Sequence, residues 1–393
     1  MLNRLLSSLL LVLLGVGILV AWVPGGFLWY LAECAVFGLM LVWLAGWSAG
    51  KLEVRWSWRF VPFLGIVALG CLQLWRGWTV YPFATAQDTL RWAVYAEVFF
   101  LAFQLFAGED SVHAFRRLFL FYALAVAVIS LLQWFGSPAK IFGLFDAPET
   151  GGMGPFLNRG HYSTFIALAL PMGVVGMLRQ PRHRWSYIIA SAALYASVIA
   201  GGSRAGFILV TFELLLLFAL VEFSGRMAAA AVALILIFGT VVGWDYLYAG
   251  RREVAAATLT MMKASPAHGY GLGTWTIVYP AFALKDFGVL INAVHNDWLQ
   301  WSADGGVPML ACILALFAGS LVMVRRVPWA LGVPIVFVHC TIDFPMQGRF
   351  LPAVVFLVFG IAARDAIRHA EEHSRPRRPL ESPPQLIVKA DAL

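Results

Sequence analysis

Arg204 sits in Gly202-Ser203-Arg204-Ala205-Gly206, between apolar runs at about 187–201 and 207–223. A guanidinium at such a boundary offers a planar fork that matches phosphate oxygens two at a time. The plainer reading is an arginine snorkelling to lipid headgroups, and the residues alone leave both open. Arg251 and Arg252 precede Val254, Ala257, Met261 and Met262, whose spacing puts them on one helical face. An interfacial helix lying on a bilayer is therefore expected. Two cations at a helix start oppose its macrodipole. A bound phosphate would remove that conflict, and anionic lipid headgroups are the simpler attraction. His295 opens His295-Asn296-Asp297-Trp298-Leu299-Gln300, with Gly305-Gly306 beyond. At the mouth of a span its imidazole can accept a proton near neutral pH. A lone histidine there also serves as an ordinary structural residue.

Other polar groups gather at the same kind of boundary. Asn158-Arg159-Gly160-His161-Tyr162-Ser163 begins the apolar run 162–178. His339 and Asp343 stand four residues apart and can meet along one helix face before Phe344-Pro345 ends it. Ser265 to Trp275 is a turn with Gly269, Gly271 and Gly273 around Tyr270, a spacing that lets backbone approach a ligand closely. It lacks a P-loop lysine, so it is no nucleotide site. Asp286, Asp297 and Asp304 are scattered, and no metal-ligand spacing is present; no metal and no cofactor are expected. Cys34, Cys71, Cys312 and Cys340 lie in apolar runs without CxxC spacing.

The elements that must hold these residues are membrane spans. Hydrophobic residues make up 61% of the 393 positions and charged residues 12%, against roughly 25% charged in soluble domains. Apolar runs at about 5–23, 28–46, 60–75, 89–107, 117–135, 162–178, 187–201, 207–223, 227–244, 297–324, 329–345 and 351–367 give about twelve spans. The fold class is all-α and polytopic. The first run follows Arg4 and lacks a small-residue cleavage site, so it reads as a retained span. Placing the N-terminus in the cytoplasm puts 18 of the 28 Lys and Arg on the inner side and nine outside, as the positive-inside rule requires. Both termini are then cytoplasmic, and the net charge of +7 follows from topology with no need of nucleic acid. Residues 1–367 read as one membrane domain carrying a large outer loop at 245–294, and 368–393 as a Pro- and charge-rich disordered tail. Arg159, Arg204, Arg251 and Arg252 fall on the outer side, which the rule depletes.

Taken in order and spacing, these motifs resemble the O-antigen ligase and polymerase superfamily. The resemblance rests on Asn158 to Ser163, Gly202 to Gly206, Arg251 through Pro266 to Gly273, His295 to Gly306, and His339 to Pro345, and covers about residues 150–360. It implies a GT-C-like glycosyltransferase of the bacterial inner membrane. Such enzymes take a glycan from undecaprenyl diphosphate on the periplasmic side, without nucleotide sugar or metal. The expected partners are that donor, a lipid A-core acceptor and membrane lipid. By position, Arg204 and Arg251 would hold the diphosphate and His295 would sit at the reacting centre. Arg159, Arg252, Asn158, His161, Tyr270, Trp275, Asn296, His339 and Asp343 are the further candidates for substrate contact. Arg252 departs from the single arginine usual there, so which neighbour faces the site stays open. The short segment 136–160 and single long loop favour a ligase over a polymerase. A protein-directed transferase and a lipid or glycan transporter are the remaining alternatives; a transporter would spread its charges along the membrane path.

Overall fold

A chain in lipid must satisfy its backbone polar groups internally, and helices do so segment by segment. In a computed structural model, which describes residues 2–147, 151–221 and 250–374, the apolar runs are helices. These are α1 (Leu2–Leu19), α2 (Phe27–Ser48), α3 (Phe60–Arg76), α4 (Pro82–Leu105), α5 (Glu109–Gly136), α6 (Arg159–Arg179), α7 (Arg184–Gly201) and α8 (Arg204–Val221). After the long-loop helices α9 (Arg251–Ala264) and α10 (Trp275–Val278) come α11 (Asp297–Val324), α12 (Gly332–His339) and α13 (Phe350–Ser374). The described sheet is one hairpin, Lys140–Ile141 with Phe145–Asp146.

Among the described residues, seven helices are long and apolar enough to cross a membrane: α1, α2, α5, α6, α8, α11 and α13. The chain is thus a mostly helical, multi-pass membrane protein, with fewer qualifying spans than the twelve expected. α3 is 17 residues long, and α4, though 24 residues, carries Asp88, Arg91 and Glu97. The run 329–345 is a short turn followed by the eight-residue α12. The expected span 227–244 lies outside the described residues, as does the tail from 375. α13 continues to Ser374, past the expected domain end at 367.

α6 and α13 form the buried centre, whereas α1 and α2 bury 28% of their apolar windows and face outward. Lipid tails give little reason for helices to associate, so close packing must do it. Phe63 meets Phe356 and Phe99 meets Phe359 edge to face, at 5.0 and 5.1 Å. Gly332 and Gly360 lie directly against the carbonyls of Ala167 and Phe99, where a Cβ has no room.

α11 is broken where sequence allows it. Gly306 is left-handed at φ 64° and Pro308 follows, so carbonyls in the preceding turn lose their helical partners. The glycine turn fills the gap: Tyr270 N donates to Ala303 O (3.2 Å) and Gly271 N to Asp304 O (3.0 Å). Gln73 clamps the joint, its Nε2 reaching Asp304 O and its Oε1 accepting Leu272 N, both at 3.0 Å. The close approach expected of Gly269 is therefore to α11, because its Cβ would collide with Asp304 O. α9 likewise turns Val254, Ala257 and Met261 onto Trp275, Tyr279 and Ala303, making a small protein core. The expected lipid-lying face is covered by the loop itself.

Candidate active site

Three helices begin with an arginine at one place. Arg159, Arg204 and Arg251 are the first residues of α6, α8 and α9. All three line a cavity of about 330 Å³ with Asn158, Gly160, Gly202, Ser203, Ala205 and Asp343. Local sequence sets each start. Asn158 caps α6 by accepting Gly160 N at 2.7 Å, and Ser203 accepts Gly206 N at 3.1 Å. Gly250, at φ 78°, turns the chain into α9. Arg159 is steadied by a hydrogen bond from its Nη1 to Gly201 O, 3.3 Å. The positive ends of three helix dipoles thus add to three guanidiniums, an arrangement suited to an anion. Burial lowers the Arg251 guanidinium from its usual value, and the Asp343 carboxylate opposes that. Arg252 is exposed and lines neither this cavity nor its neighbour, which answers which of the pair faces inward.

Arg251 also lines an adjoining cavity of about 430 Å³ with His295, Asn292, Phe287 and Leu290. His295 is held at φ 58°, a left-handed conformation that costs a non-glycine residue roughly 1–2 kcal/mol. The residues after it enforce that turn. Asn296 caps α11 through Leu299 N (3.0 Å) and donates to Thr341 O (2.8 Å). Asp297 accepts Met346 N (3.0 Å) and Gln347 Nε2 (2.7 Å), and Trp298 Nε1 donates to Phe337 O (2.8 Å). Asn296 is thereby a brace that ties the loop 340–347 to α11.

That loop presents Asp343 to the histidines. Its Oδ1 lies 3.6 Å from His295 Nδ1 and its Oδ2 lies 3.7 Å from His339 Nε2. His339 is fully buried and shares a 2.7 Å hydrogen bond between its Nδ1 and Thr164 Oγ1. It therefore fixes Asp343 from behind without reaching the cavity. Gly160 is required in front, since a Cβ there would overlap the Asp343 carboxylate. Burial pushes the Asp343 carboxyl up, but His295, His339 and His161 together outweigh it and hold the group at about 2. An ionised Asp343 beside Nδ1 favours the tautomer in which Nε2 is the proton acceptor.

His161 and His295 both set their rings edge-on to Phe344, at 5.1 and 4.7 Å. Tyr270 and Trp275 are not brought to this group. Trp275 is fully buried, bonded to Thr258 Oγ1 at 3.1 Å and stacked on Tyr279 at 4.7 Å. Tyr270 packs against Phe282 in the loop core. Sequence reasoning missed Gly160, Thr164 and Phe344. The Asn-Arg-Gly-His and Asp-Phe-Pro motifs were usable signals for Gly160 and Phe344, whereas Thr164 looked like an ordinary span residue. Among the described residues, no group of three or more His, Cys, Asp or Glu is placed to hold a metal ion. No family model matches the chain, and no curated protein matches it in sequence.

Proposed function

We propose that this protein transfers a glycan from undecaprenyl diphosphate to a sugar hydroxyl of lipid A-core, as an O-antigen ligase, at the periplasmic face of a bacterial inner membrane. The observation that carries the reading is the single cavity lined by Arg159, Arg204 and Arg251, three guanidiniums at three helix starts. Arginine matches diphosphate oxygens and keeps its charge. In the reaction the acceptor hydroxyl attacks the anomeric carbon from the face opposite the diphosphate, so the C1–O bond to phosphate breaks with inversion. His295 Nε2 takes the hydroxyl proton while Asp343 steadies the imidazolium. The arginines carry the charge that grows on the leaving diphosphate, and preorganised donors of this kind contribute about 10²–10³ in rate each.

The test is reconstituted protein supplied with a polyprenyl-diphosphate glycan and lipid A-core. His295→Ala is expected to lower transfer by about 10² or more while donor binding changes little. Undiminished transfer by His295→Ala would remove the histidine from the chemistry. Lengthening of the donor glycan in place of attachment to lipid A-core would replace the ligase with a polymerase of the same superfamily.

A further inference from the structure

A third cavity is walled in part by Phe344 and is separate from the two described above. It is about 390 Å³ and is lined by Asn158, His161, Asn292, Phe344, Gln347 and Arg349, with apolar residues below. That size falls within the roughly 300–1,000 Å³ of small-ligand sites. It meets the arginine cavity only at Asn158 and the His295 cavity only at Asn292. Both neighbouring compartments are thus reached without sharing a cation.

Arg349 is built into this wall. Its guanidinium lies over the Tyr30 ring at 5.5 Å, and Tyr30 is itself held by a 2.8 Å hydrogen bond from Gln87 Nε2. A Cβ on Gly26 would strike both Tyr30 and Arg349, so the glycine makes the space in which the fork lies flat. Glu33 accepts the Trp29 indole N–H and forms no ion pair with Arg349 among the described residues. Edge-on to Phe344, His161 has its Nε2 buried without a hydrogen-bond partner. The floor is Val20, Ala21, Leu28 and Phe350, at the ends of α1, α2 and α13. α1 and α2 are the outward-facing spans, so a molecule anchored in the surrounding lipid meets this cavity from the side.

We infer that this compartment binds the acceptor, and that its ligand is a lipid-anchored saccharide bearing a phosphate, with Arg349 gripping the phosphate and His161 and Asn292 meeting sugar hydroxyls. The inference rests on the transferase reading for the word acceptor, but the binding site is testable by itself. Solubilised full-length protein is titrated with a phosphorylated lipid A-core glycolipid, the same glycolipid after phosphatase treatment, phosphatidylglycerol, and farnesyl diphosphate, with no donor glycan present. Arg349→Gln should weaken the phosphorylated glycolipid about tenfold or more, as expected for a charge-assisted pair. It should leave the dephosphorylated form and farnesyl diphosphate within about threefold. Val23→Asp, a half-buried rim residue of the same cavity, should produce the same selective loss by repulsion and guards against a folding defect in the first variant. Unchanged affinity for the phosphorylated glycolipid in both variants would overturn the site. Equal loss of farnesyl diphosphate would assign Arg349 to the donor, and phosphatidylglycerol binding as tightly as the glycolipid would overturn the saccharide. Selective loss in a protein that shows no glycan transfer would keep the site and discard the transferase.

Discussion

Arginines crowd both ends of the helix bundle, and the two ends treat them differently. At the end reached by the last turns of α13, four arginines meet carboxylates or rings. Arg368 pairs with Asp365 (2.5 Å), Glu372 (2.9 Å) and Glu109 (3.5 Å), and Arg55 pairs with Glu371 (3.7 Å). Arg116 lies over Trp329 and Arg59 over Trp58. At the other end, Arg159, Arg204 and Arg251 surround a cavity whose lining holds one carboxylate, Asp343, and that carboxylate is already facing two histidines. In the first arrangement each named guanidinium faces a carboxylate or a ring. The second gathers three guanidiniums around one cavity, a concentration of positive charge suited to an anion.

The largest effect that separates the two ends is catalytic. Arg204→Ala or Arg251→Ala should each reduce glycan transfer by about 10²–10³, whereas Arg252→Ala, on the exposed side of α9, should change it less than about threefold. Equal losses at Arg251 and Arg252 would erase the distinction between a cavity arginine and a surface one.

A smaller effect concerns Asp343. Its carboxyl is held at about 2, below the ordinary carboxylate value, so its ionised form is favoured by folding. This stabilisation is present above about pH 4 and disappears as pH falls toward 2. Asp343→Asn should therefore cost on the order of 2 kcal/mol at pH 7, and the gap from the unsubstituted protein in thermal unfolding should close on acidification below pH 4. A gap that is constant with pH would mean the carboxylate contributes only its shape.

The smallest effect tests the joint that carries Arg251 to the cavity. Gly269, at φ 66°, lies against Asp304 O. Gly269→Ala should loosen the loop and speed protease cleavage within 282–292 by several fold. Gly38→Ala, on an open helix face, should not.

The arginines at the ends of apolar runs were readable from the chain, and so were His339 and Asp343 four residues apart. Contact between His295 and Asp343, 48 residues apart, was not, because it depends on Asn296 and Asp297 bracing a distant loop. The apolar face of α9 was legible but its partner was not, since lipid and a small protein core call for the same side chains. Trp275 looked like a ligand contact for the converse reason: an aromatic residue after a glycine turn suits either role, and Thr258 settles it by accepting the indole N–H. Hydropathy marked the apolar runs without fixing their lengths, so α3 and α12 were counted as full spans.

Farnesyl diphosphate binding to the full-length protein in nanodiscs, compared across Arg204→Ala, Arg251→Ala and Arg368→Ala, tests the anion receptor most directly. The two cavity substitutions should each weaken binding at least tenfold, and Arg368→Ala should leave it within about threefold. Binding that is indifferent to Arg204 and Arg251, or that depends equally on Arg368, would contradict the account.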